Sequence, residues 1–348
     1  MADRYWVGGT GSWTTISTTN WSLFSGGASG ASVPTATDSV FFDQAGTYTV
    51  TATGALACLD FTVSLGVVTF SEISSTITIS GSLLLASGTV SSWTANLGII
   101  FNATTSKTIT TNNVAIGATT FNGVGGSWTL GSAFSVNNGA IDLTNGTFST
   151  SASNFSVTCA LFRSSNSNTR TINLNASTFT ITGSQWNFFT STNLTVSGSG
   201  ATVTMTSSST KTFSGGSANW GAITLNQGGA GRLTITGSNT FANISNSYNA
   251  TGATSLRFTS GTTQTVSNFT AAGTSGKILT IDSSTPATAA TLSQASGTVS
   301  VDYMSLQDST ATGGATWYAG ANSTNVSGNT GWVFTAPPSG SSNFFLLM

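Results

Sequence analysis

The sequence contains no histidine and very little charge: Lys and Arg number 8, Asp and Glu 9, or 5% of 348 residues. An average soluble protein carries roughly 25% charged residues. Without histidine there can be no Ser-His triad. Two cysteines and no histidine cannot build a zinc site either. Cys58 and Cys159 are far apart in apolar, strand-like text (ALACLDFTV and FSVTCALF), which reads as buried free thiols. The basic residues are scattered from Arg4 to Lys277 and the net charge is -1. Phosphate binding needs clustered Lys and Arg, so nucleic acid is not an expected partner. Long apolar runs are missing as well. Body runs such as Leu83-Leu84-Leu85-Ala86 fall far below the ~20 residues that span a bilayer. No membrane span is expected.

Proline is also missing over most of the chain. Pro34 is followed by none until Pro286, and Pro337 and Pro338 complete the set. Proline is excluded where every backbone N–H serves a ladder, so the region between reads as continuous sheet. Composition divides the chain into a Trp-rich zone at 1–45, a body at 46–296, a segment at 297–336 and a tail at 337–348.

What is present is hydrophobic content of 38%, with 21 phenylalanines, and abundant Ser, Thr, Asn and Gly. That excludes ordinary disorder. Short alternating segments recur, among them Thr76-Ile-Thr-Ile79, Thr171-Ile-Asn-Leu174, Thr178-Phe-Thr-Ile181 and Thr202-Val-Thr-Met205. Apolar residues take one face and Thr or Asn the other, the period of a half-buried strand. The phrases TITISGS, FTITGSQ and LTITGSN are variants of one strand-plus-turn unit. Trp93, Trp128, Trp186 and Trp220 recur on a similar scale. Such degenerate self-similarity predicts a solenoid with about ten to twelve turns in the body. The fold class expected is all-β, a right-handed parallel β-helix. A chain of immunoglobulin-like sandwiches is the alternative, but it predicts repeats near ~100 residues with linkers, and neither appears.

A solenoid leaves an unpaired strand edge at each end, and edges invite aggregation. The two terminal zones are therefore expected to cap the stack, with their tryptophans as cap cores. The tail ends in Phe344, Phe345, Leu346, Leu347 and Met348. Exposed together they would form a sticky patch. Either they insert into a partner or a neighbouring copy, or they fold back on their own cap. Deleting them abolishes assembly under the first reading only.

Two segments carry resemblances. Trp6, Gly8, Gly9, Gly11 and Trp13, then Asn20-Trp21-Ser22, Val33-Pro34 and Asp38, Val40, Phe42 resemble a module at the start of many bacterial and phage β-helix proteins. Residues 297–335, with DYMSLQDS, GGATWYAG and NSTNVSGNTGW, look like a C-terminal segment common in phage and environmental-virus proteins. These families are mostly structural, so the resemblance implies a β-helix with a virion or surface location and carries over no active-site residues.

The body offers little chemistry. Glycosidases need two carboxylates flanking the bond, and between Ile73 and Ile281 the sequence holds one, Asp142. Lys107, Arg163, Arg170, Lys211 and Arg232 have no acidic company in the sequence. Asp282, Asp302 and Asp308 could bind Ca²⁺, but turn capping is the plainer reading. Gly8-Gly9-Thr10-Gly11 leads into no helix, so it is not a nucleotide loop. No catalytic residue, cofactor or metal is expected.

The N-terminal Met-Ala-Asp-Arg-Tyr-Trp has no apolar h-region, so the chain is expected to fold in the host cytoplasm without a Sec signal. The function expected is a non-enzymatic structural protein on the exterior of a bacteriophage virion, a tail fibre or spike. A head-decoration protein, a glycan-depolymerising spike with an inter-subunit site, and a bacterial adhesin are the alternatives. Expected partners are other virion proteins, further copies of the chain (a trimer, for example) and a host surface glycan.

Overall fold

The computed structural model describes residues 2–338. Phe344–Met348 and the rest of the tail beyond Pro338 lie outside the described residues. Among those described there is no α-helix, and one short 3-10 turn occurs at Tyr248–Ala250. The strands stack in parallel as a β-solenoid of about 13 turns, the all-β fold that the alternating text predicts. Those turns include strands from both terminal zones as well as the body.

Most turns carry strands on three faces. In one of them, Thr178–Asn187 bends around Gly183 and supplies two faces, and Leu194–Ser197 supplies the third. A Cβ at Gly183 would stand 2.6 Å from the Ala160 carbonyl oxygen of the turn below, so the bend needs glycine. The chain then returns to the first face in Ala201–Met205, where Thr202 and Thr204 register with Thr178 and Thr180.

Strict register turns the period of two into columns of side chains. One inward column on the second face runs Ile141, Phe162, Trp186, Phe213, Ile235, Phe258. Its rings touch in sequence, Phe162 and Trp186 at 5.1 Å between centroids and Trp186 and Phe213 stacked at 6.1 Å. The neighbouring outward column is polar: Thr120, Asp142, Arg163, Asn187, Ser214, Thr236. All nine tryptophans are buried, as are both free cysteines. Burial pushes both thiols well above their ordinary range, Cys58 with a further push from Asp60, so neither is a reactive thiolate.

The hydrophobic core is continuous from Trp6 to Trp332. At the N-terminal end Trp21 packs edge-on against Trp6 and Trp13, at 5.2 and 5.3 Å. There the strand Trp21–Ser22 runs antiparallel to Asp3–Trp6 and pairs with the edge of the first turn. At the C-terminal end Trp317 and Trp332 meet edge to face at 5.1 Å on registered strands.

Candidate functional site: a corner ridge between two clefts

The stacking brings together what the sequence keeps apart. In the sequence Arg163 has no acidic neighbour; the fold corrects that reading. The parallel register sets Arg163 directly beside Asp142, one turn away. The guanidinium donates from Nε to Asp142 Oδ1 at 2.7 Å and from Nη2 to Oδ2 at 2.8 Å. This hydrogen bonding to Asp142, set against partial burial, raises the Arg163 pKa further above its ordinary value. Side-chain exposure of 43% for Arg163 and 33% for Asp142 leaves the pair open to solvent.

The pair lies in a cleft of about 480 Å³ at a corner of the solenoid. Thr120, Thr144, Ser165, Asn166 and Asn187 complete most of its wall. The chain then turns the corner through residues 164–169 before entering the strand Arg170–Asn173. A second cleft of about 360 Å³ lies across this loop, lined by Asn145, Thr147, Ser167, Asn168 and Thr171 among others. The loop is thus a ridge with a polar cleft on each flank.

Hydrogen bonds fasten the ridge to the turns above and below. Ser164 Oγ donates to the Leu143 carbonyl at 2.6 Å, and Asn168 Nδ2 to that of Thr144 at 3.0 Å. From the next turn, Asn193 Nδ2 donates to the Ser167 carbonyl at 2.9 Å and the Thr190 N–H to Ser165 Oγ at 3.0 Å.

Beneath the ridge lies Arg170, fully buried. Its Nε donates to the Asn168 carbonyl at 2.9 Å, Nη1 to the Ser164 carbonyl, and Nη2 to the Thr192 carbonyl at 2.6 Å. Longer bonds of 3.3 Å reach the Thr190 carbonyl. One guanidinium therefore holds two consecutive corner loops from inside. Among the described residues no carboxylate compensates it; burial lowers its pKa, and five backbone and hydroxyl oxygens supply the partners. Lys211 repeats the device farther along the stack. Its buried Nζ donates to the carbonyls of Ser207 (3.0 Å), Gly229 (3.3 Å) and Gly231, and burial lowers its pKa to about 8.

In the sequence Arg170 and Lys211 stand out only for having no acidic company, yet a signal of their burial was available. In Arg170-Thr-Ile172 and Lys211-Thr-Phe213 the cation shares strand parity with an inward apolar residue.

The three C-terminal aspartates do not converge. Asp282 is held by Arg257. Asp302 accepts the N–H groups of Tyr303 and Asn322 at 2.9 Å each, and Asp308 accepts the Ala287 N–H at 3.0 Å. Among the described residues no three His, Cys, Asp or Glu stand close enough to hold a metal ion. No helix among them is long and apolar enough to cross a membrane. No family model matches the chain, and no curated protein or solved structure shows significant similarity to it.

Proposed function

We propose that this chain is a non-enzymatic structural protein on the exterior of a bacteriophage virion, a tail-fibre or spike shaft. The observation that carries this reading is the state of Asp142. It is the one carboxylate between Ile73 and Ile281, and both its oxygens are occupied by Arg163. With both oxygens engaged and no second carboxylate lining its cleft among the described residues, Asp142 meets neither geometry of glycoside hydrolysis. A stack of about 13 turns with a single continuous core is a stiff rod, which suits a shaft. A polar, nearly uncharged surface suits an appendage that must stay soluble without non-specific electrostatic adhesion.

Gold-labelled antibody raised against the purified chain tests the location. Label on tail appendages of intact particles is the expected result. Label on the head supports a decoration protein instead, and absence of label from particles overturns the proposal.

A second reading, a glycan-depolymerising spike, has one observation in its favour: Asp142 does line a cleft. It requires a neighbouring copy to supply the second carboxylate. Release of reducing ends from a host polysaccharide, lost in Asp142→Asn, would establish it.

A further inference from the structure

We infer that the corner at residues 164–169 is a binding site for a neutral glycan, read through the outer edge of the Asp142–Arg163 pair. This deepens the virion-exterior reading by giving the shaft a lateral receptor contact, and it rests on that reading for its biological setting.

The Asp142–Arg163 pair leaves hydrogen-bonding capacity unused. A guanidinium has five N–H donors, and a carboxylate has about four lone-pair sites. The pair uses one hydrogen on Nε, one on Nη2 and one site on each oxygen. Among the described residues Arg163 Nη1 donates to nothing, so two of its hydrogens and the remaining one on Nη2 are free. The cleft therefore presents adjacent donors and acceptors whose formal charges cancel. Vicinal hydroxyls, each both donor and acceptor, complement that pattern. A phosphate or carboxylate would gain from Arg163 but meet Asp142.

The rest of the wall narrows the class further. Thr120, Thr144, Ser165, Asn166 and Asn187 add only hydroxyls and amides. An extended peptide would want a free strand edge. Here the strands are paired on both sides: Val157–Arg163 with Ala140–Leu143 and Thr178–Asn187, and Gly146–Ser149 with Ser127–Leu130 and Arg170–Asn173. Nucleic acid needs a basic stripe, which is missing. Phe189, 71% exposed, follows two residues beyond Asn187 on the next corner loop, outside the lining of both clefts, and offers an apolar ring only to a ligand that extends past the first cleft.

The site is also held in shape before any ligand arrives. Arg170 fixes the carbonyls of the ridge and of the Thr190–Thr192 loop from within, so binding does not have to order them. Clefts on both flanks of the ridge give room for more than one sugar unit. Arg170 is a positioning residue here, and Arg163, Asp142 and Asn166 are the contacts.

The second ion pair supplies an internal control. Arg257 and Asp282 are registered in the same way and share the same two-point geometry, but they line neither of these clefts.

The test uses the full chain on immobilised dextran, mannan and galactan as neutral probes, with hyaluronan as the anionic counter-probe. Retention on at least one neutral polymer is expected. Arg163→Met should weaken it about tenfold or more, the cost of losing hydrogen bonds from a charged donor. Arg257→Met should leave it unchanged, and circular dichroism should show both variants folded. The inference is overturned if no neutral polymer is retained, if only hyaluronan is, or if Arg163→Met binds like the parent. It is equally overturned if Arg257→Met loses binding to the same extent. Failure here leaves the antibody labelling of particles untouched, so this site and the virion location stand or fall separately.

Discussion

Asp142 and Arg163 are 21 residues apart in sequence, yet they meet across adjacent turns through two hydrogen bonds of 2.7 and 2.8 Å. Parallel register alone makes this contact. Because both side chains are partly exposed, solvent screens the pair and it adds little to stability, about 1 kcal/mol or less. Arg163→Met should therefore shift the urea midpoint only slightly. A large shift would show the pair to be a structural clamp.

Arg170 predicts the opposite. Replacing it with Met removes donors from the carbonyls of Ser164, Asn168, Thr190 and Thr192 inside the stack. The Ser164 carbonyl bond is buried and the others are part-buried; an orphaned buried carbonyl costs about 1–3 kcal/mol, so the combined loss should reach about 3 kcal/mol. Arg170→Lys should recover little of it, because an ammonium cannot span two loops as a planar fork does. Urea unfolding of both variants, with hydrogen exchange at 164–169 and 190–193, checks the claim.

Lys211 gives the stability a pH dependence of definite sign. Burial lowers its folded pKa to about 8, below the unfolded value near 10.5. Below about pH 8 both states carry the proton and the full burial penalty applies. Between the two values the unfolded chain holds a proton that the folded chain has released, so stability rises with pH. The gain tends towards about 3 kcal/mol. Tyr48 sets the upper bound of the window, because burial raises its folded pKa to about 12 and its ionisation in the unfolded chain from about pH 10 acts in the opposite direction. Comparing wild type with Lys211→Met at about pH 7 and about pH 9.5 isolates the effect. A parallel pH response in both proteins would refute it.

The two ends respond to acid. Burial pushes the Asp38 carboxyl up, but hydrogen bonds from the Thr35 hydroxyl, the Thr35 N–H and the Ala2 N–H, with Arg4 nearby, outweigh it and hold the pKa low. Asp302 follows the same balance, with Asn322, Tyr303 and Ser323 as partners. Both folded values lie below the unfolded one. Their contribution is therefore complete above about pH 4 and is lost as pH falls through the folded values. Acid melts should show early loss of protection near residues 35–40 and 302–322. Asp38→Asn and Asp302→Asn should each flatten the response at their own end.

The inward aromatic column supplies a packing prediction. Trp186 touches Phe162, Phe179, Phe188, Phe213 and Trp220. Trp186→Ala should cost about 3–5 kcal/mol. Because turns contact mainly their neighbours, the damage should be centred on the middle of the stack. Hydrogen exchange that rises uniformly along the chain would contradict that expectation.

The sequence by itself determined the fold class. Thr178-Phe-Thr-Ile181 and its relatives specify which side of each strand is apolar, and a Pro-free stretch from Thr35 to Thr285 specifies unbroken pairing. Those are local properties, set by a period of two and by backbone donors, so they can be read without coordinates. Which residues meet across turns is not local. It depends on the number of residues each corner consumes, and the corners vary: two residues separate Ala140–Leu143 from Gly146–Ser149, and six separate Val157–Arg163 from Arg170–Asn173. Asp142 therefore meets Arg163 only once the register is fixed. The inward parity of Arg170 was visible in its strand, but the two loops that its guanidinium joins were not. The tertiary structure decided the site because corner length, not strand pattern, sets the register between turns.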